Sequence, residues 1–303
     1  MNDEKSVIGR WSIQAAMEGR NRARCLAWAA ALGAALFLCA TPAQAAGTPI
    51  PHGTLELVAE RQWIAAGHTV NLGLHFELEK GWHIYWVNPG DSGEPPRVKW
   101  ELPVGTAAGA IEWPTPHRLG TPSIVDYGYE DSATLIVPMR VEASLKAQRN
   151  VEIGAEVKVL VCREMCIPGK AQLSLTLAVK PEAPPADSRS ADWFAAARKA
   201  LPRTAPDNWK FTVTDAKDSL LLNARLNSQI TGAVFFPLTE SQISNAAPQD
   251  FQAIPGGFRL TLRKSDQLLK PIDRLKGVLV LSDEHAYSIA VPVSKPGAAA
   301  RTR

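Results

Sequence analysis

The chain has 303 residues, a length that suggests about two domains. It is 46% hydrophobic and 21% charged, which excludes a disordered polyampholyte, a collagen-like repeat and a protein with several membrane spans. The net charge is only +3, so no basic footprint for nucleic acid stands out, and four cysteines are few for a disulfide-built scaffold.

The first 45 residues have the features of a cleaved secretory signal peptide. A basic cluster at residues 20–24 precedes the apolar run Leu26–Ala40, and the small-residue stretch Ala43–Ala46 follows. The apolar run is shorter than the roughly 20 residues that span a bilayer, which disfavours a membrane anchor. We expect cleavage after Ala45, and the exported chain then carries a net charge of +1.

The chain after the signal peptide predicts an all-β domain over residues 47–181. Short alternating or β-branched segments recur between Gly, Pro, Asn and Asp residues, with no helical period between them. This spacing favours a β-sandwich over a parallel sheet with helical crossovers. The predicted strands are Thr54–Ala59, Thr69–Phe76, His83–Val87, Thr134–Val141, Val151–Val161 and Gln172–Val179.

A second domain is predicted over residues 182–295, after a proline-rich linker at residues 181–186. Residues 187–200 have apolar side chains at helical spacing and precede Pro202, which predicts a short helix. A second, smaller β-sandwich with a support or docking role follows, and the tail 296–303 is expected to be flexible. Its predicted strands are Lys210–Val213, Leu220–Leu226, Ala233–Phe236, Phe258–Arg263, Val278–Leu281 and Tyr287–Val293.

Loss of the signal peptide removes Cys25 and Cys39 and leaves Cys162 and Cys166, separated by three residues. The dipeptide Pro168-Gly169 supplies turn chemistry, so both thiols are expected at or near a hairpin. A bridge between them closes a small ring and adds little stability. Short, accessible bridges are also among the more easily reduced ones. The spacing therefore favours a redox-active disulfide.

Two other readings of this cysteine pair stay open. One is an inert local disulfide, which is common in secreted proteins. The other is a Cu(I) or zinc site completed by His83 or His117. No second Cys-x-x-Cys, His-x-His or Met-rich cluster supports a metal site, so we expect neither metal nor cofactor, and His83 is expected to be an ordinary core or edge residue.

Three motifs carry a family resemblance: Gly81–Gly93 (GWHIYWVNPGDSG), Tyr127–Asp131 (YGYED) before a Leu-x-Val-Pro strand, and Val161–Pro168 (VCREMCIP). Together they resemble the N-terminal periplasmic domain of thiol:disulfide interchange protein DsbD, and more closely its relative, suppressor of copper sensitivity protein B. The resemblance covers roughly residues 54–180. The later domain is more loosely similar to the second periplasmic sandwich of that relative.

This resemblance implies two immunoglobulin-like sandwiches, the first of which takes electrons from a membrane-embedded reductase and thioredoxin-like proteins. It passes them to oxidised periplasmic proteins. By the same resemblance, Cys166 attacks the partner and Cys162 resolves the mixed disulfide. The best-known member has a longer spacing between its cysteines and carries membrane and thioredoxin-like domains that this sequence lacks. We therefore expect a stand-alone module served by a separate membrane reductase, or a diverged one with another task.

The family also places a short cap loop over the resting cysteines. Candidates for it here are Trp113 and His117 in one segment and Tyr127 and Tyr129 in another. An aromatic side chain over the sulfurs would exclude stray thiols until a partner displaces it. The alternative for the aromatic residues is ordinary sandwich core.

The sequence thus predicts a periplasmic thiol-disulfide exchange module that binds no nucleic acid and cycles Cys162 and Cys166 between dithiol and disulfide. Whether the chain is itself an enzyme stays open, with protein-disulfide reductase-like activity within a relay as the expected form. The alternative, from another functional class of protein, is a non-enzymatic periplasmic binding module for copper tolerance or assembly, in which the disulfide is only structural.

Overall fold

A computed structural model describes residues 47–145, 150–226 and 229–295. The expected signal peptide, with Cys25 and Cys39, and the tail 296–303 lie outside the described residues. Within those residues the elements, in chain order, are β1 (Thr48–Ile50), β2 (Gly53–Ala59), β3 (Ile64–Ala65), β4 (Thr69–Leu78), β5 (His83–Gly90), β6 (Arg97–Glu101), β7 (Thr106–Ala108), β8 (His117–Thr121), β9 (Ile124–Glu130), β10 (Ser132–Val141), β11 (Asn150–Cys162), β12 (Cys166–Lys180), α1 (Ala191–Ala200), β13 (Arg203–Thr204), β14 (Lys210–Asp215), β15 (Ser219–Arg225), β16 (Ala233–Pro237), β17 (Asp250–Ile254), β18 (Gly257–Arg263), β19 (Arg274–Leu281) and β20 (Ala286–Ser294).

The first two sheets form a sandwich around one large apolar core. The first sheet has the strand order β1-β2-β4-β10-β7, and the second has β3-β12-β11-β5-β9-β8 with β6 paired to β11. Side chains alternate across each strand, so alternate residues of β4, β10 and β11 fill the space between the sheets. The second sheet matters most for function because it carries both cysteines.

The third sheet has the order β16-β19-β20-β14-β15-β18-β17, with β13 paired to β20. It surrounds its own core, which includes Val213, Leu222, Phe258 and Leu275. The described part of the chain is therefore nearly all β with a short helix after the proline-rich stretch, and the predicted fold class, two immunoglobulin-like sandwiches, is confirmed.

The helix α1 packs on the outer side of the first sheet. Phe194 and Ala197 are buried there against Val58 of β2 and Ile136 of β10. The hydroxyl of Ser190, just before the helix, donates a hydrogen bond of 2.6 Å to the carbonyl oxygen of Ala59. The helix follows the proline-rich stretch in sequence but contributes its apolar face to the first sandwich.

The third sheet also touches the second sheet directly. Phe236 of β16 lies in the first core, where its ring centroid is 5.2 Å from that of Tyr127 and 6.4 Å from that of Trp86. The Asn88 side-chain amide donates a buried hydrogen bond of 2.7 Å to the carbonyl oxygen of Pro237. The described residues from Gly47 onwards accordingly form one compact unit.

We predict that Phe194→Ala lowers the free energy of unfolding by about 3–5 kcal/mol, because it removes a fully buried aromatic ring. Equilibrium urea unfolding measures this loss, with Ala195→Ser on the exposed face of the same helix as the matched control. A loss below about 1 kcal/mol would show that the helix does not depend on this contact.

Candidate functional site

The two cysteines face each other at the tip of the longest hairpin in the described structure. Strand β11 ends at Cys162 and β12 begins at Cys166, with the two residues paired directly and joined by a disulfide. Their Cα atoms are 4.1 Å apart. Three residues, Arg163 to Met165, make the turn, and the Arg163 amide donates to the Met165 carbonyl oxygen at 3.2 Å.

The turn therefore lies between the cysteines, and the expectation that Pro168-Gly169 would supply it is wrong. Pro168 lies within β12 opposite Leu160, and Gly169 lies opposite Val159. A side chain at Gly169 would contact the ring of Pro51, so close packing requires glycine there. The expected location of both thiols at a hairpin agrees with the structure.

The two sulfur-bearing residues differ sharply in exposure. Cys162 is only 1% exposed, whereas Cys166 is exposed at the start of β12. Met165, beside it in the turn, is 68% exposed and gives the tip an apolar surface. Cys166 is thus the cysteine that a partner protein can approach, whereas Cys162 is shielded.

A row of paired residues crosses four strands at this level of the sheet. Glu130 of β9 lies opposite His83 of β5, His83 lies opposite Cys162 of β11, and Cys162 lies opposite Cys166. Directly paired residues place their side chains on the same face of a sheet. The neighbours of His83 in β5, with the opposite parity, face the core, so this row lies on the outer face.

Tyr85 lies on the same outer face and contacts the disulfide directly. Its hydroxyl is 3.4 Å from the sulfur of Cys166, and it is the donor because a disulfide sulfur carries no hydrogen. Burial raises the pKa of Tyr85, so the hydroxyl keeps its proton. The geometry thus supplies a hydrogen-bond donor for a thiolate at Cys166.

A short stretch, residues 91–93, covers Tyr85, and we name it the cover segment. A Cβ on Gly93 would overlap the Tyr85 ring, so only glycine allows this approach. The backbone amide and the hydroxyl of Ser92 both donate to the Asp126 carboxylate, at 3.0 and 2.9 Å. Burial raises the pKa of that carboxyl group. These contacts leave Tyr85 with no exposed surface although it lies on the outer face.

The cover segment is also held by the third-sheet region of the chain. The side-chain amide of Asn245 donates a hydrogen bond of 2.8 Å to Asp91, and its side-chain oxygen accepts one of 3.0 Å from the hydroxyl of Tyr127. The Arg118 guanidinium donates to the backbone carbonyl oxygen of Asn245 at 2.7 Å. A residue distant in sequence therefore fixes the segment that covers the site.

An aromatic contact between Arg163 and Trp82 fixes the turn between the cysteines. The guanidinium of Arg163 lies over the Trp82 indole, 5.2 Å from the ring centroid. The His52 ring stacks on the same indole, with centroids 3.6 Å apart. The Arg163 side chain is thereby directed towards Trp82.

The four residues proposed as a cap lie elsewhere in the structure. Tyr127 and Tyr129 belong to β9 and face the core, and the Tyr129 hydroxyl donates to the carbonyl oxygen of Pro114 at 2.7 Å. Trp113 packs against the same core, and His117 is exposed on β8. The contact with the Cys166 sulfur comes instead from Tyr85.

The sequence analysis assigned no function to Tyr85 or to the cover segment, although both lie within the Gly81–Gly93 motif. The signal was present in the alternation of Gly-Trp-His-Ile-Tyr-Trp, which places His83 and Tyr85 on one face of β5 and Trp82, Ile84 and Trp86 on the other. The contact from Asn245 has no such local signal.

Over the described ranges, no group of three or more His, Cys, Asp or Glu side chains is arranged to hold a metal ion. In the same ranges, no helix is long and apolar enough to cross a membrane.

Comparisons with known proteins agree with this geometry. Residues 54–178 match the family model described as "Thiol:disulfide interchange protein DsbD, N-terminal", which confirms the resemblance indicated by the sequence motifs. The site residues Tyr85, Cys162 and Cys166 all lie within the matched segment. A comparison with curated protein sequences gave no match.

Among solved structures, the chain is similar to the N-terminal periplasmic domain of ScsB from Proteus mirabilis. The TM-score is 0.61 at 16% identity, over 80% of this chain and 94% of that one, and it shows a shared fold. The major pilin subunit BcpA of Bacillus cereus aligns over 80% of this chain and 68% of its own, at 8% identity and a TM-score of 0.26. That score is too low to support any inference.

We predict that Tyr85→Phe raises the pKa of the Cys166 thiol in the reduced protein, because a hydrogen bond to the thiolate is lost. The rate of Cys166 alkylation by iodoacetamide at pH 7 should fall about 3- to 10-fold. The measurement uses a chain in which Cys25 and Cys39 are serine. Tyr129→Phe, whose hydroxyl lies on the core side, is the control and should leave the rate unchanged. Equal rates for Tyr85→Phe and the unaltered chain would exclude a role of the hydroxyl.

Proposed function

We propose that this protein is a periplasmic thiol-disulfide exchange module in which Cys162 and Cys166 cycle between dithiol and disulfide. It relays electrons between a membrane-embedded thiol reductase or thioredoxin-like protein and oxidised periplasmic proteins. The proposal is protein-disulfide reductase-like activity within a relay, carried by the two cysteines without a cofactor.

The observation that carries this proposal is the difference in exposure between the two cysteine residues. A disulfide that only stabilises a fold gains nothing from one exposed sulfur, and a bridge across a three-residue turn closes too small a loop to add much stability. An exchange reaction needs one sulfur that a partner reaches and a second, protected sulfur that ends the encounter. Cys166 and Cys162 have these two properties.

The residues divide the reaction into two steps. In the reduced protein the Cys166 thiolate, stabilised by the Tyr85 hydroxyl, attacks the disulfide of an oxidised partner and releases one partner thiolate. The Cys162 thiolate then attacks the Cys166 sulfur of the mixed disulfide, which forms the Cys162–Cys166 bond and releases the second partner thiolate. Two electrons pass to the partner, and a reductase restores the dithiol by the reverse sequence.

The location and the domain division are parts of the same proposal. The similar ScsB domain is described as periplasmic, and the basic-apolar-small pattern of residues 1–45 is that of an export signal. We assign residues 47–181 to the redox domain and residues 182–295 to the second domain. The hydrogen bond from Asn245 to Asp91 supports a role of the second domain in holding the cover segment.

We predict that Cys162→Ser accumulates mixed disulfides with partner proteins at Cys166, because the sulfur that resolves them is absent. The variant is expressed in the periplasm of a bacterial host, and covalent complexes are identified after acid quenching by non-reducing gels and mass spectrometry. The Cys166→Ser variant is the matched control and should trap little, since Cys162 is buried.

Two outcomes of this experiment would contradict the proposal. Trapping by Cys166→Ser instead of Cys162→Ser would reverse the roles of the two cysteines. Trapping by neither variant would favour a structural disulfide in a non-enzymatic binding module.

A further inference from the structure

His83 lies beside the two cysteines but has no role in the exchange reaction described above. It begins β5, is 7% exposed, and lies directly opposite Cys162 on the outer face of the sheet. Directly opposed residues have Cβ atoms about 4.5–5.5 Å apart. The His83 and Cys162 side chains therefore lie beside each other on this face.

The Nε2 atom of His83 is buried and has no hydrogen-bond partner among the residues that the structure describes. A buried polar atom without a partner is unfavourable and is rare in folded proteins. Burial also lowers the pKa of His83, while the carboxylates of Asp126 and Glu130 raise it, so the ring is largely neutral near pH 7. A neutral imidazole has one nitrogen that accepts a proton.

The other polar groups on this face already have partners or are exposed. On β9, Asp126 accepts hydrogen bonds from Ser92, and Glu130 is exposed. On β5 itself, the Tyr85 hydroxyl is directed at the Cys166 sulfur, although the Tyr85 and His83 rings make an edge contact at 5.2 Å. From the turn after β11, Arg163 lies over Trp82. The group that remains for Nε2 is the sulfur of Cys162.

In the oxidised protein Cys162 carries no proton, so its sulfur has no hydrogen to donate to an accepting Nε2. Reduction creates a thiol at Cys162 that is shielded from water, directly opposite this unpartnered nitrogen. We propose that His83 is the general base for Cys162 and accepts its proton in the step that resolves the mixed disulfide. This inference rests on the exchange function proposed above and assigns a catalytic group to its second step.

The resolving step transfers one proton and exchanges one sulfur–sulfur bond for another. The S–H bond of Cys162 breaks and its proton moves to Nε2 of His83, while the sulfur electron pair attacks Cys166. The Cys162–Cys166 bond forms as the bond between Cys166 and the partner breaks. The partner leaves as a thiolate, which takes a proton from the imidazolium or from solvent, and His83 returns to its neutral form.

Oxidised glutathione separates the two steps experimentally. Mixed with the reduced protein, in which Cys25 and Cys39 are serine, it should release one glutathione when Cys166 attacks and a second when Cys162 resolves. The Cys162→Ser variant identifies the first release, because it cannot perform the second.

We predict that His83→Gln slows the second release at least about tenfold at pH 7 and leaves the first within about twofold. The pH profile should also change. In the unaltered protein the second rate levels off once the imidazole is neutral, whereas in His83→Gln it should keep rising with pH until the thiol itself ionises. His117→Gln, on exposed strand β8, is the matched control and should change neither rate.

The results discriminate between this inference and the proposed function. An unchanged second rate and pH profile in folded His83→Gln would overturn the general base while leaving the exchange function intact. No release of glutathione at any pH by the unaltered reduced protein would instead contradict the exchange function.

Should His83→Gln fail to fold, the unaltered protein provides the test by NMR. In the unaltered protein, the ¹⁵N chemical shift of His83 Nε2 should differ between the oxidising and the reducing buffer. In the Cys162→Ser variant, the shift should be the same in the two buffers. An identical Nε2 shift in the oxidised and reduced protein would overturn the inference.

Discussion

The pairing of Cys162 with two different neighbours is the constraint on which this site depends. On one side Cys162 pairs with Cys166 across a three-residue turn, and on the other it pairs with His83 at the start of β5. Cys162 has a paired strand on each side and is only 1% exposed. Cys166 begins β12, is paired at this level only with Cys162 among the described residues, and is exposed. The difference in exposure between the two cysteines thus accompanies their different positions in the sheet.

The same register gives β5 two different functions. Trp82, Ile84 and Trp86 anchor the strand in the core, and this anchoring fixes the position of the alternate residues His83 and Tyr85 beside the sulfurs. The cover segment shields the Tyr85 ring through Gly93, and Asn245, in the segment between β16 and β17, holds the cover segment through its hydrogen bond to Asp91. The site is therefore built from elements of the whole described chain, although the chemistry requires only two cysteines.

Much of this fold follows from local patterns. Strands β4, β10 and β11 alternate clearly and were predicted within a few residues, and α1 was predicted because its apolar spacing ends at Pro202. Strand β9 was not predicted, since Gly128 and its acidic neighbours resemble a turn. In the structure Gly128 allows close approach of β5, where a side chain would overlap the Ile84 backbone. The dipeptide Pro168-Gly169 was wrongly interpreted as a turn for a similar reason, because Gly169 is explained by its close packing on Pro51. The pairing of His83 with Cys162 and the contact from Asn245 join distant parts of the chain, and no local pattern encodes them.

The proposed exchange function requires that the Cys162–Cys166 bond be broken and remade under physiological conditions. Its reduction potential tests this most directly, measured on a chain with Cys25 and Cys39 replaced by serine, equilibrated in glutathione redox buffers and quantified by thiol alkylation and mass spectrometry. We predict a potential above about −300 mV, within the range of known exchange proteins. A value below about −300 mV would identify a structural disulfide and contradict the account.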